Sequence, residues 1–319
     1  MYIPATDIVS LSDQILTQWD IKFAEAINAQ SKQFENFTTK ITTKQLDVQI
    51  PFINSWEDLE EIELYGDPAY IDVKPEKISR TIARYSKGLY IGEYTYNDPV
   101  YQSMFWNQLG SLVAQASRRP VKAIMDALKN GDDATYTKAL VYDDGATELP
   151  LFYNNHTLAG NTFDNLYSGA LNATNLKAGI LRFQTIPIGP NGEYLPMAGA
   201  KIYCIIPPQL EYDLDLLINS TTIYEANINA TNPYKGIVEK IVDNYFANDG
   251  DDWYMMMTLP SLTPFVTVEH TISNPSLQPF IDKKDREVAE KHRFRWLLDL
   301  QEETYPVHYF QLLKFTNGS

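Results

Sequence analysis

The 319-residue sequence predicts an α+β fold, and three features point to it. Residues 98–130 keep a helical period for longer than an average globular helix does. Residues 132–319 switch to Asp- and Asn-rich turns that separate short apolar runs, the texture of several strands with a few helices. Between 55 and 90 the chain reads as a long two-stranded excursion whose limbs carry opposite charge.

Residues 1–54 are expected to form an arm, an amphipathic helix and a strand. After Pro4 and Asp7, Leu11, Ile15, Trp19, Phe23 and Ile27 recur every four residues, with Asp13, Asp20, Lys22 and Glu25 on the opposite side. Such a stripe must lie on apolar surface, either of its own domain or of a neighbouring subunit. Leu46, Val48 and Ile50 alternate as in a strand that ends at Pro51.

Charge then segregates. Trp56 opens an acidic limb of Glu57, Asp58, Glu60, Glu61, Glu63 and Asp67 with no base, closed by the turn Gly66-Asp67-Pro68. From Lys74 to Lys87 the chain carries Lys74, Lys77, Arg80, Arg84 and Lys87 against Glu76 alone. Tyr70–Val73 and Arg80–Tyr85 alternate in the manner of strands. An isolated hairpin is marginally stable in water, so a long one needs support. Opposite charges across its strands supply a little. Pairing with a neighbouring subunit supplies more and fixes register; an ordinary solvated hairpin is the bland alternative.

Asp98-Pro99 has the form of a helix start, with Pro at the first helical position. The apolar run from Val100 through Met104, Phe105, Leu109, Leu112, Val113 and Ala116 reaches Arg118-Arg119-Pro120, then resumes with Val121, Ile124, Met125 and Leu128 before Asn130-Gly131. Pro120 should kink or divide it. Beyond it, strands are expected at Ile202–Ile206, Ile237–Phe246, Trp253–Leu259, Phe265–His270 and Val307–Phe315, with a helix over Gln209–Asn219. No fixed-period repeat or low-complexity tract is present.

Composition excludes several functions. Forty-one acids against 26 bases give a formal charge of −15, the reverse of what a non-specific nucleic-acid binder needs. No stretch of eighteen or more apolar residues offers a membrane span, and Met1–Ser10 lacks the pattern of a secretory signal. The single cysteine, Cys204, allows no internal disulfide, suits a reducing cytoplasm and reads as a buried thiol. The aromatic content, with 21 Tyr, 14 Phe and 5 Trp, suits either an aromatic core or interface centres.

Catalytic chemistry finds few candidates. His156, His270, His292 and His308 are widely spaced, and no zinc, Walker-type or nucleophile-elbow motif occurs. The acidic turns Asp143-Asp144-Gly145 and Asp249-Gly250-Asp251-Asp252 lack calcium-loop spacing, and turn formation explains them. Arg118-Arg119 could contact phosphate, but a pair of bases on a helix reads first as a solvated face. No catalytic, metal or cofactor site is expected. A carboxylate pair of the hydrolase kind is the enzymatic alternative.

Taken in order, these parts resemble the tailed-phage capsid fold known as the Hong Kong 97 fold, and within it the major head subunit family of phage Mu. The resemblance rests on Ile3-Pro4-Ala5-Thr6 with Trp19 and Phe23, on Trp56-Glu57-Asp58 with Tyr70 and Ile78–Arg84, and on Tyr96–Gly110. It continues through Tyr142-Asp143-Asp144-Gly145, Leu151-Phe152 and His156, then Ile205-Ile206-Pro207-Pro208-Gln209-Leu210-Glu211 and Trp253-Tyr254. Two departures stand out. The family's Trp-Gly-Glu/Lys-Arg is acidic here and lacks the Arg, and Asp144 with Ala146–Pro150 lengthens the Asp-Gly turn.

The resemblance implies an N-terminal arm over residues 1–54, with Leu11, Ile15, Trp19 and Phe23 at a subunit interface. It implies an extended loop over 55–90, a peripheral domain with a spine helix over 91–140, and over 141–319 an axial domain plus returning peripheral strands. Trp56, Glu57, Asp58, Glu60, Glu61, Glu63, Lys74, Lys77, Arg80, Arg84 and Lys87 then belong to the loop's interface. The implied function is a self-assembling virion shell of hexamers and pentamers around double-stranded DNA, built in the host cytoplasm with portal and scaffold proteins and a possible decoration protein. A tail-tube or portal subunit shares this interface logic and is the structural alternative.

Overall fold

The computed structural model of the chain describes residues 35–52, 76–92, 95, 98–143, 148–158, 160–187, 194–220, 222–223, 230–232, 234–248, 250–260, 262–271, 276–280 and 293–317. The predicted N-terminal helix lies outside them, as does the segment 53–75.

Where one strand was expected the chain forms two, β1 (Thr38–Thr43) and β2 (Asp47–Phe52), broken at residues 44–46. β3 (Glu76–Thr81) returns antiparallel along β2, from Asp47 opposite Thr81 to Phe52 opposite Glu76. β4 (Arg84–Gly92) follows after two residues.

α1 (Pro99–Ser117) starts as its sequence dictates: Asp98 is extended, its side chain accepts the Val100 N–H, and Pro99 fills the first turn. Pro120 does divide the run. Arg118 closes α1, and α2 (Arg119–Lys129) takes Pro120 into its first turn, where the missing N–H breaks no helical bond. α2 buries Ala123, Ile124, Ala127 and Leu128 along one face.

Short pairs come next, β5 (Leu140–Tyr142) with β6 (Glu148–Pro150) and β7 (His156–Leu158) with β8 (Asn161–Phe163). They are followed by β9 (Leu166–Ser168), α3 (Ala173–Gln184), β10 (Lys201–Ile206) and α4 (Glu211–Asn219). A small hairpin, β11 (Thr222–Ile223) with β12 (Ala230–Thr231), precedes β13 (Val238–Val242) and β14 (Trp253–Thr258). The remaining strands are β15 (Phe265–His270), β16 (Ser276–Phe280), β17 (Arg293–Pro306) and β18 (Leu312–Thr316). Where a single strand over Val307–Phe315 was expected, β17 instead ends at Pro306 and one 3-10 turn, Tyr309–Gln311, separates it from β18.

Two five-stranded sheets organise the described residues. In one, the order is β13-β10-β14-β18-β9, and its central strands are buried as continuous apolar runs, Ile202–Ile206 and Trp253–Met257. Trp253 stacks on Phe315 with ring centroids 3.9 Å apart. The other sheet is built around β17, whose fourteen residues span roughly 46 Å at strand rise. β4 and β16 pair with the same stretch of β17 and so flank it on opposite edges, while β15 pairs with residues 302–306 and carries β1 parallel on its far side. α1 covers one face of this sheet, where Phe105 meets Trp296 at 4.6 Å.

Gly131 closes α2 in a space with no room for a side chain. A Cβ there would sit 2.4 Å from the Ala127 carbonyl oxygen and 2.9 Å from a Phe152 ring carbon. Gly110, inside α1, has nothing within 4 Å of its Cβ position. Gly131→Ala is expected to cost about 1–3 kcal/mol through overpacking, whereas Gly110→Ala should gain up to about 1 kcal/mol from helix propensity. Urea midpoints of the unassembled subunit check both, and equal effects at the two sites would refute the packing account.

Candidate functional site

The β2–β3 ribbon is rooted in its own domain. Val48, Ile50 and Ile82 are buried with Val266, Val268, Tyr305 and Val307 in a small core of their own. Polar contacts tie the root further: the Ile82 N–H donates to the Leu46 carbonyl at 2.9 Å, Thr81 Oγ1 donates to Asp47 at 2.6 Å, and Tyr305 OH donates to the Thr81 carbonyl at 2.8 Å. Arg80 reaches sideways to Glu148 at 2.7 Å and to the Leu140 carbonyl at 2.8 Å, pinning the ribbon to the β5–β6 pair.

Beside this root lies a buried charged knot. Glu303, only 2% exposed, accepts from Tyr85 OH, from Lys138 Nζ at 2.7 Å and from Arg119 at 3.3 Å. Arg119 also donates to Tyr85 OH and lies 4.1 Å over the Tyr85 ring. Burial opposes the Lys138 charge, but hydrogen bonds to Glu303 and Tyr85 and the Glu303 carboxylate outweigh it and hold the lysine above its usual pKa. The knot joins β4, α2, the turn at Thr137–Ala139 and β17. Arg119 is therefore no part of a solvated face: Glu303 and Tyr85 occupy it, and its side chain is 18% exposed.

Of the expected interface residues, Trp56, Glu57, Asp58, Glu60, Glu61, Glu63 and Lys74 lie outside the described residues, as do Leu11, Ile15, Trp19 and Phe23. Lys77 stands on β3 opposite Pro51. Arg80 and Arg84 both have partners within the chain, Arg84 gripping Asp299 through Nε at 2.9 Å and Nη2 at 2.6 Å. Lys87 is exposed on β4. The basic limb thus divides, its second half running as β4 in the β17 sheet. Sequence reading missed Glu303; the available signal was an acidic pair, Glu302-Glu303, set among apolar and hydroxyl residues of a strand.

Among the described residues no catalytic geometry replaces this picture. Cys204 is fully buried, and burial pushes its thiol pKa up, away from the nucleophilic range. Asp143 is buried and accepts the Thr157 N–H at 3.2 Å, a structural role for the first acidic turn. Among the described residues no helix is long and apolar enough to cross a membrane.

The sequence matches the phage capsid protein family over residues 66–296, well over half of the chain. A search of curated proteins finds no match. Several solved structures are similar. The procapsid of bacteriophage JBD30 is 13% identical with a TM-score of 0.55, covering 97% of this chain and 76% of that one. The mature capsid of bacteriophage PhiM1 is 11% identical with a TM-score of 0.55, covering 90% and 87%. Mycobacterium phage Patience is 13% identical with a TM-score of 0.52, covering 95% and 88%. At these identities the likeness establishes the fold, and the family match establishes membership. The chain belongs to the phage capsid protein family, with the Hong Kong 97-like fold of a structural shell subunit and not an enzyme.

Proposed function

We propose that this capsid protein is the major head subunit of a tailed phage or phage-like particle, of the phage Mu kind, in which the excursion between β2 and β3 reaches a neighbouring copy and fixes its register. Copies close into hexamers and pentamers through contacts that are each modest and large in sum. The shell encloses double-stranded DNA without reading its sequence, in keeping with a formal charge of −15. A scaffold protein and a portal are the expected assembly partners in the host cytoplasm, with a decoration protein as a possible addition to the finished head. With the family established, the tail-tube, portal and hydrolase alternatives fall away.

The observation that carries this reading is the ribbon's division of labour. Its base, β2 against β3, is held by the subunit's own core and hydrogen bonds, while the 23 residues between those strands hold seven acids and a single base, Lys74. Arg80 and Arg84 are poor test positions, because reversing them would break ion pairs within the chain. The acidic limb is the sharper target. Glu57→Lys, Glu60→Lys and Glu61→Lys together are expected to leave a folded subunit by circular dichroism and to abolish shells in electron micrographs of the expressed chain with its assembly partners. Normal shells from that triple variant would refute the register role.

A further inference from the structure

We infer that the Arg80–Glu148 ion pair is a strut that sets the angle between the β2–β3 ribbon and the body of the subunit, and that this angle decides which closed assembly forms; this builds on the reach proposed for the excursion. Among the described residues no ladder joins the ribbon to either five-stranded sheet, so side-chain contacts hold its direction. Val48 and Ile50 rest on the small core at the root, and apolar packing is non-directional. Arg80 adds direction. It lies directly opposite Val48 and so shares the ribbon face turned to the body, while Gln49 and Ser79 are exposed on the other face.

The far end of the strut is firm. Arg80 donates from Nη1 to Glu148 and from Nη2 to the Leu140 carbonyl, a two-point grip that fixes orientation as well as distance. β5, which supplies that carbonyl, is seated by Val141, fully buried in the main core, and follows the turn in which Lys138 binds Glu303. The Tyr142 hydroxyl, from the residue directly across from Glu148, donates to the same carboxylate and helps to aim it. The Arg80 side chain is 12% exposed and that of Glu148 37%, so the arginine end is sheltered from water while the glutamate end can be altered without opening the core. The lever is long. Six residues per strand span about 20 Å, so a turn of about 10° at the root moves the far end of the ribbon by about 3.5 Å. No hydrogen bond made beyond that end would survive such a shift. Whether head-to-tail contacts close into rings depends on the rotation between neighbours, which this displacement changes.

The test is a pair cycle in the full chain, expressed with its assembly partners: Arg80→Ala, Glu148→Ala and both together. Shell diameter and yield are read by electron microscopy and sedimentation, and folding of the unassembled subunit by its urea midpoint. Either single change is expected to lower the yield of parent-diameter shells about tenfold or more, with open or mis-sized assemblies in their place. The urea midpoint of Glu148→Ala should stay close to that of the parent. The double variant should be no worse than the more severe single one, because residues that act through one contact are not additive. Effects that multiply would mean two separate roles and would overturn the strut. If Glu148→Ala loses shells only together with its fold, the pair is a stability contact and the proposal falls. Should Arg80→Ala fail to fold, Glu148→Lys replaces it: repulsion there must change the shells at least as much as Glu148→Ala does, and a weaker effect sinks the idea. Normal shells from Glu148→Ala with none from the acidic-limb variant refute the strut and leave the register role intact. Mis-sized shells from Glu148→Ala with normal ones from the acidic-limb variant mean that the ribbon's angle governs closure and the limb's charges do not.

Discussion

Glu303→Ala is expected to destabilise the unassembled subunit by about 3–5 kcal/mol, the cost of removing one partner from a buried charged group. The carboxylate sits at the centre of a knot that includes two cations and a phenol. Removing it leaves Arg119, 18% exposed, and Tyr85 without their main acceptor, while Lys138, 41% exposed, can turn outward and recover water. The losses should therefore rank by burial. Lys138→Met should cost no more than about 1 kcal/mol, as exposed pairs do, with Glu303→Gln between the two because it keeps one acceptor oxygen. Urea unfolding of the three variants decides the matter. A lysine variant as damaging as Glu303→Ala would mean that the pair, and not the buried acid, sets the cost. The same knot connects β4 to β17, so assembly of Glu303→Ala should fail together with folding, unlike the surface variants above, which separate the two.

Much of this architecture was legible from local chemistry. Asp98 and Pro99 determine a helix start through one side-chain hydrogen bond and one absent donor, and neither depends on distant residues. The same holds for the division at Pro120 and for the fully buried runs at Ile202–Ile206 and Trp253–Met257, whose continuous apolar character suits strands covered on both faces. Among the elements that escaped, two did so for opposite reasons. α3 is announced only by Asn172, whose side chain accepts the Asn175 N–H, within a stretch rich in residues that favour turns equally well. β17 mixes Arg293, Arg295, Asp299, Glu302 and Glu303 into its length, because it borders open surface along one half and a charged knot along the other. Its identity as a strand depends on partners from β4, β15 and β16, of which β4 is remote in sequence. The candidate interface was legible as charge. What charge could not reveal is which bases already have partners at home, since Arg80 meets Glu148 and Arg84 meets Asp299 only after the chain folds.

Acid should weaken the subunit less than its buried histidines alone would require, because a buried glutamic acid works in the opposite direction. His156, stacked 4.1 Å from Tyr309, and His308, whose Nδ1 lies 2.8 Å from the Thr263 carbonyl, are both buried, and burial lowers each pKa to about 4. The unfolded chain protonates them near the ordinary value of 6.5, so their contribution is complete above that pH and is lost as pH falls toward 4, by about 3 kcal/mol each. Glu302 behaves inversely. Burial raises it to about 7 against the pull of Lys40, and the neighbouring charges of Glu269, directly opposite on β15, and Glu303 add to the rise. Its stabilising effect is complete below 4.5 and is lost as pH climbs through 7, again by about 3 kcal/mol. Between pH 4.5 and 6.5 the two histidines make the unfolded chain bind two extra protons while Glu302 gives the folded chain one. Stability should then fall by about 1.4 kcal/mol per pH unit of acidification instead of about 2.7. Glu302→Gln removes the offset: it should add about 2–3 kcal/mol at pH 8, add little at pH 4.5, and nearly double the slope between. Unfolding midpoints from pH 4.5 to 8 test this, and parallel curves for parent and variant would show that Glu302 ionises freely in the fold. Lys40 bridges Glu269 at 2.7 Å and anchors β1, the first described strand after residues 1–34, so the same titration adjusts the charge beneath that strand.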